Sequence, residues 1–485
     1  MMPAKNLLFL FSDQHAARVM GCAGDAHAQT PALDGLAARG VRMTNAYCPS
    51  PICVPSRMSM LTACHPSSQD CWTNDDVLAS ERPTWLHALG AAGYKPGLIG
   101  RMHSVGPDQM RGYAWREVGD HSPNFPGSTW HDMGPLDGAN DPTPKGLIAC
   151  GAGQSAYEVK DRDVTTAALA ALDRIAETGD PFCLTVGFML PHAPYVAAQK
   201  WIDRYLHSLP PPEIPPGQDD TWLTWWRANR GVDNVPERKS RLARAAYWGL
   251  VAVLDEMIGQ ILDRLDTLGL RDDTLIVYAS DHGDHVGERG VWWKHTFYDE
   301  SAKVPVILSL PGTLPMGEVC DRVVSLIDLS QTMLEAMGAD LLPQADGRSF
   351  WPLLTGAAQG WDDTVFSEYC TDAVPVWTGG RAVQRRMVRR GSWKLIVSGE
   401  EEPLLYDLAN DPQEMINLAG DPAHADTLTD LTALITRDWD AGAVRDKMLA
   451  RRQRKDILAA WARETAPTGT HIWPLDPSMN RLDTQ

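Results

Sequence analysis

The sequence predicts an α/β fold: a large mixed, mostly parallel sheet flanked by helices, followed by a smaller C-terminal α+β subdomain. Three observations lead there. Four short apolar runs each end in chemistry-bearing residues, helical patterns separate them, and the texture changes after Leu354-Thr355-Gly356. The runs are Asn6 to Asp13, Pro96 to Ile99 before Gly100-Arg101-Met102-His103, Phe182 to Leu190 before Pro191-His192, and Thr274 to Ala279 before Ser280-Asp281-His282. A short uninterrupted apolar run is how a strand buried on both faces reads. Helical patterns lie at Ala32 to Arg39, Trp85 to Ala92, Asp163 to Thr178 and Leu242 to Leu268. Strands alternating with helices give a parallel sheet. Such sheets bind ligands beyond the carboxyl ends of their strands, where all four runs place titratable or metal-binding groups.

The later elements follow from the change in texture. Arg386 to Arg390, Trp393 to Ser398 and Pro403 to Leu408 read as short antiparallel strands, with a helix from about Ala423 to Ala441. The expected division is a catalytic α/β domain over 1–360, the α+β subdomain over 361–465 and an extended tail over 466–485. That tail is either disordered or laid along another surface. Proline-rich stretches at 123–144 and 209–217 read as long loops that could cover a pocket.

Composition narrows the function classes. A 485-residue chain with 44% apolar and 22% charged residues can bury a large core. Its formal net charge of -18, without a block of like charges, argues against nucleic acid and anionic membrane surfaces as partners. It also repels anions at long range, so an anion site needs local cations. Nine cysteines without a Cys-x-x-Cys pair suggest neither a disulfide framework nor a zinc cage. Leu7 to Phe11 is shorter than a secretory h-region of about 7–15 residues. No stretch reaches the roughly 18 apolar residues of a membrane span, so the expected location is the cytoplasm.

The rest is organised around Cys53-Val54-Pro55-Ser56-Arg57. Pro55 suits the first turn of a helix, which puts Cys53 at an N-terminus where unpaired N–H groups favour a thiolate or an oxyanion. Arg57, one turn on, could fork onto sulfate or phosphate oxygens. Asp13 and Gln14 after the first strand, with Asp281 and His282 after the fourth, offer oxygen and imidazole donors for a divalent cation. Standing alone, Asp13-Gln14 would read as a turn or helix cap. The cluster Asp281-His282-Gly283-Asp284-His285 is harder to explain as structure, because its acids and imidazoles are costly at a strand end without a cation or substrate. Lys294, beside Trp292 and Trp293, could have a buried stem and a head in a cleft, although lysines more commonly snorkel to the surface. His192, held between Pro191 and Pro194, could be a placed general acid or a loop histidine satisfied by backbone. Arg101, His103 and Asn74 are equally open when taken singly. Asn74, Trp72 and Trp293 are candidates for holding a substrate.

Taken together these motifs resemble the type I, formylglycine-dependent sulfatases of the alkaline phosphatase superfamily. Cys53-Val54-Pro55-Ser56-Arg57 matches the signature whose cysteine is oxidised to formylglycine. Leu404-Leu405-Tyr406-Asp407-Leu408, Asp411-Pro412, Glu414 and Asn417-Leu418 look like the family's C-terminal subdomain. The resemblance implies an alkaline-phosphatase-like sheet and a divalent metal, calcium expected and manganese the alternative, on Asp13, Asp281, His282 and the modified Cys53, with Gln14 nearby. It implies that Arg57 steadies the formylglycine and that Arg101, His103, His192 and Lys294 surround the sulfate. In that mechanism His192 with Lys294 protonates the leaving alkoxide and His103 takes the proton of the second hydroxyl. The implied partners are a small-molecule sulfate ester and a formylglycine-generating or sulfatase-maturating enzyme; the oligomeric state is left open, a homo-oligomer included.

Gln14 and His282 depart from the commoner aspartate and asparagine, and point to the branch of choline sulfatases and phosphonate monoester hydrolases. Arg101 stands where lysine is usual, which puts a proton-transfer role there in doubt. The competing expectations are phosphonate monoester or phosphodiester hydrolysis at the same site, and a non-catalytic metal- and anion-binding protein with unmodified Cys53.

Overall fold

The computed structural model describes residues 3–216, 220–356, 360–372, 380–399 and 401–483. Residue 217 of the second proline-rich stretch, residues 357–359 at the expected domain boundary and residues 484–485 of the tail lie outside it. Among the described residues ten strands precede residue 330: β1 (Asn6–Asp13), β2 (Val41–Tyr47), β3 (Gly97–Gly100), β4 (Trp115–Glu117), β5 (Gly151–Gln154), β6 (Cys183–Pro191), β7 (Val196–Ala197), β8 (Thr274–Ser280), β9 (Val306–Ser309) and β10 (Glu318–Ser325). Eight of these form one sheet in the order β10-β2-β9-β8-β1-β6-β3-β4. Every neighbouring pair is parallel except those made by β9, which runs antiparallel to β2 and β8.

The four apolar runs are β1, β3, β6 and β8, and every residue of each is buried. They are contiguous in the order β8-β1-β6-β3, so their carboxyl ends open on one edge. Where β1 meets β6, pairing jumps from Phe11–Gly187 to Asp13–Pro191. Irregularities of this kind re-aim side chains, and this one falls at Asp13.

Helices cover both faces, among them Pro31–Ala38, Trp85–Ala91, Ala156–Thr178 and Glu237–Thr267. The last is long and apolar enough to cross a membrane, but 83% of its most apolar window is buried inside the protein, where it packs against β6 and the helix Ala156–Thr178. Ala156–Thr178 begins earlier than the pattern from Asp163 suggests. Its first turns bury Glu158, Lys160 and Asp161, polar residues that mask an apolar stripe, and Ser155 caps it by accepting from the Glu158 N–H.

After residue 360, β11 (Thr364–Asp372), β12 (Ala382–Arg390), β13 (Trp393–Ser398) and β14 (Leu404–Asp407) form an antiparallel sheet in sequence order. The first strand was not foreseen. The helix Ala425–Thr436 lies where one was expected, and a second, Ala441–Thr465, follows it. The tail takes the second of its two expected courses. The Trp473 N–H donates to the Asp120 carbonyl, and β15 (Arg481–Leu482) pairs antiparallel with β5.

Candidate active site

Cys53 is the first residue of the helix Cys53–Thr62, all ten residues of which are buried. Its N-cap, Ile52, has no side chain able to cap. The Val54 N–H donates to Asn74 Oδ1 at 3.0 Å instead, tying the loop around Asn74 to the helix N-terminus. Cys53 Sγ lies 3.3 Å from His282 Nε2, 3.8 Å from Asp13 Oδ1 and 3.2 Å from Lys294 Nζ.

Beneath it two carboxylates are divided in their duties. Asp13 Oδ2 accepts from Arg57 Nη2 at 3.0 Å and from Arg101 Nε at 2.7 Å, and Asp281 Oδ2 accepts from Arg57 Nε at 2.8 Å. Their Oδ1 atoms turn toward His282 Nε2, at 3.8 Å from Asp13 and 3.5 Å from Asp281. Burial would raise the Asp13 carboxyl, but Arg101 and Arg57, then His192 and Lys294, hold it well below the usual carboxylate range. Burial pushes His282 down to about 4 despite Asp281. Its Nδ1 faces the Gly283 carbonyl at 3.1 Å, which leaves the Nε2 lone pair of the neutral ring aimed at the centre.

One ligand atom each from Asp13, Cys53, Asp281 and His282 lies within 4.8 Å of the others. Carboxylate oxygens and an imidazole lone pair gathered at one place are what a divalent cation requires, so the residues present fit one.

Of this cluster Cys53 reaches the surface of a cavity of about 510 Å³, whose lining also includes Gln14, Arg101, His103, His192 and Lys294, with Asn74 and Trp293 on its walls; Asp13, Asp281 and His282 lie behind Cys53, outside the lining. Lys294 donates to Gln14 Oε1 at 2.7 Å and to His192 Nε2 at 3.0 Å. His192 Nδ1 donates to the Ala193 carbonyl at 2.6 Å, so its Nε2 is the acceptor; burial, then Lys294, lowers its pKa. Arg101 also reaches Asp120 Oδ1 at 3.0 Å and His103 Nδ1 at 2.7 Å. Asp120 and Asp13 raise its pKa against the effect of burial, so the guanidinium remains charged.

The structure therefore gathers most of the sequence-derived set around one cavity: Asp13, Gln14, Cys53, Arg57, Asn74, Arg101, His103, His192, Asp281, His282, Trp293 and Lys294. Trp72 is the exception. It packs with Phe366, Val388 and Leu395 of the C-terminal sheet and does not line the cavity. Neighbourhood to Asn74 in sequence was misleading, because Trp72 is buried in the hydrophobic cluster of the C-terminal sheet while Asn74 faces the cavity. Arg57 does not line the cavity either; its Nε and Nη2 are engaged by Asp281 and Asp13, and its Nη1 is buried. Gln14 Oε1 accepts from Lys294, whose Nζ also meets Cys53, and its Nε2 donates to Asp284. His103 is a poor candidate for a base, since burial and Arg101 hold its pKa well below the ordinary value and its Nδ1 already accepts from Arg101.

Sequence reasoning missed Asp120, which anchors Arg101 and the His103 N–H, and the cavity residues His121, Trp130, Asp141 and Tyr157. None sits in a recognisable motif. Asp284 was visible inside a quoted cluster but was given no role.

A mostly parallel α/β sheet with a carboxylate–imidazole–thiol cluster at its carboxyl edge and a cation-lined cavity beside it fits the hydrolases of the alkaline phosphatase superfamily, and the comparisons with known proteins support that class. The sulfatase family model matches residues 5–339, and the model for the C-terminal region of N-sulphoglucosamine sulphohydrolase matches 287–439. The chain belongs to the sulfatase family. It is 32% identical to a choline-sulfatase from Rhizobium meliloti, over 90% of this chain and 87% of that one. It is 25% identical to arylsulfatase K of Xenopus laevis, covering 86% and 80%. Among solved structures it is similar to a phosphonate monoester hydrolase from Silicibacter pomeroyi, with a TM-score of 0.74 and 27% identity over 89% of this chain and 94% of that one.

Proposed function

We propose that this sulfatase hydrolyses a small organic sulfate monoester to an alcohol and inorganic sulfate, with formylglycine made from Cys53 by a maturating enzyme as its nucleophile. The observation that carries the reading is the place of Cys53. It opens a buried helix on the cavity floor, 3.2 Å from the Lys294 ammonium and beside the Asp13–Asp281–His282 cluster. Asp13, Asp281 and His282, with residue 53, would hold one divalent cation, calcium in first place and manganese second. When bound, such a cation favours ionisation of an oxygen nucleophile and offsets charge on the ester. A formylglycine hydrate offers two hydroxyls, one to attack sulfur and one whose deprotonation expels sulfate, an exit closed to a serine or a thiol.

The chain's own side chains do the rest. Arg57 braces Asp13 and Asp281 from below, so their Oδ1 atoms keep one separation. Arg101 and Lys294 bring fixed positive charge to the ester oxygens in a chain whose overall charge is negative. The proton for the departing oxygen sits on Lys294, with His192 Nε2 as its adjacent acceptor, so the two act as a relay. His103 is a hydrogen-bond donor in this scheme. The walls bearing Asn74 and Trp293 contact the alcohol.

The phosphonate monoester hydrolase neighbour supports a second reading, in which the same floor accepts a phosphonate monoester or a phosphodiester. Peptide mass analysis after co-expression with a formylglycine-generating enzyme, followed by parallel assays on sulfate esters (choline sulfate included) and a nitrophenyl phosphodiester, separates the possibilities. Conversion of Cys53 with dominant sulfatase turnover is expected. Greater diesterase efficiency would favour the second reading, and a retained thiol with no turnover would leave a binding protein.

A further inference from the structure

Asp284 lies three residues beyond Asp281, is fully buried, and belongs neither to the metal cluster nor to the cavity lining. One carboxylate there joins four segments. Oδ1 accepts the backbone N–H groups of Val286 at 2.8 Å and Trp293 at 3.0 Å. Oδ2 accepts Gln14 Nε2 at 2.5 Å and the Tyr195 hydroxyl at 2.7 Å. The Gln14 main chain is itself fixed: its N–H donates to Asp281 Oδ1, its carbonyl accepts from Tyr247, and its φ is 68°. What remains free is the two-way choice of the amide. With its nitrogen held by Asp284, its oxygen faces Lys294 Nζ.

We infer that Asp284 is a positioning residue: it sets the Gln14 amide so that oxygen rather than nitrogen meets Lys294, and it holds the Trp293 backbone that places Lys294 over residue 53. The inference rests on the proposal that Lys294 acts at the ester. An asparagine at 284 tests it almost isosterically. Its amide nitrogen cannot occupy the Oδ1 position, where two backbone N–H groups point and cannot reverse. It must take the Oδ2 position, where the Tyr195 hydroxyl can accept and Gln14 can turn over. The turned amide presents its NH2 to an ammonium, two donors facing each other, and Lys294 moves away.

Asp284→Asn is expected to lower kcat/KM by about a hundredfold, the scale of an ångström-sized misplacement, with the larger loss on alkyl sulfates and the smaller on nitrophenyl sulfate. Gln14→Glu alone should also lose activity, because it sets two carboxylates against each other. Gln14→Glu in the Asp284→Asn background should recover most of the loss, since the new carboxylate accepts from Asn at 284 on one side and from Lys294 on the other. A crystal structure of the Asp284→Asn variant supplies a readout independent of turnover: Lys294 Nζ should have left its place beside Cys53 Sγ. Should Asp284→Asn not fold, Gln14→Leu, which keeps Asp284 and removes the amide, should show the same leaving-group-dependent loss. Activity of Asp284→Asn within about threefold of wild type, a uniform loss on all esters without recovery in the double variant, or an unmoved Lys294 would each overturn the inference. An inactive wild-type protein would count against the functional proposal, while the position of Lys294 in the crystal would still decide this one.

Discussion

Replacing Lys294 by methionine should separate catalysis from stability. Lys294 is 5% exposed, and its three partners are Gln14 Oε1, Cys53 Sγ and His192 Nε2, none of them a carboxylate. Among the described residues the substitution therefore breaks no direct ion pair. Asp13 still has Arg101, Arg57 and His192, all of which hold its carboxyl down more strongly than Lys294 does. Methionine keeps most of the aliphatic volume, so the change in stability should stay within about 1.5 kcal/mol, as for other volume-conserving swaps. Relief of a buried charge could make it positive. Catalysis should respond otherwise, since one donor at a developing charge is worth about 10²- to 10³-fold in kcat. The loss should grow as the leaving alcohol becomes more basic, because the relay with His192 then matters more. Steady-state kinetics on nitrophenyl and alkyl sulfates, with thermal melts of the same preparations, tests both halves. Activity within about tenfold of wild type on every ester would refute the assignment, as would a large fall in melting temperature, which would make the lysine structural.

Trp72→Ala should cost about 3–5 kcal/mol of stability by opening a cavity among Phe366, Val388 and Leu395, with KM for the substrate unchanged in the folded fraction; a selective rise in KM would return Trp72 to the substrate site. Stability should also carry a pH signature from Asp161, whose carboxylate accepts the Met189 and Leu190 N–H groups at 2.8–2.9 Å. Burial outweighs Lys160 and these hydrogen bonds and pushes the carboxyl up to about 7. Because the folded pKa lies above the unfolded one, the stabilisation is fully present below about pH 4 and is lost as pH rises through 7, at up to about 1.4 kcal/mol per unit. Asp161→Asn should flatten that part of the fall in urea melts between mildly acidic and mildly alkaline buffer, and an identical fall in both proteins would contradict the sign. Chelation should abolish turnover and lower the melting temperature, with calcium restoring both, since a cation held by Asp13, Asp281 and His282 would bind the folded chain and not the unfolded one; indifference of both quantities to chelator would remove the metal from the proposal.

What was legible in the sequence was what is local. β1, β3, β6 and β8 are mostly apolar runs that turn polar at the edge, so Asp13, Arg101, His192 and Asp281 could be assigned to strand ends without knowing how the strands pair. Elements built on long-range charge were not legible in that way. The helix Ala441–Thr465 is rich in arginine, buries only Val444, Met448 and Ala462, and shows no apolar stripe to reveal it. It is docked by Lys455, which reaches Asp76 and Asp372 at 3.1 Å each, and so braces from behind the loop that carries Asn74. The same limit explains Asp120 and Asp284. Each is a single acid whose importance depends on which donors converge on it, and convergence is a property of the fold. Motifs name the groups that meet a substrate because those chemistries are few. The acids and arginines that aim those groups can be drawn from any segment passing nearby, so a resemblance in sequence underdetermines how the Lys294 ammonium is held even where it identifies the lysine.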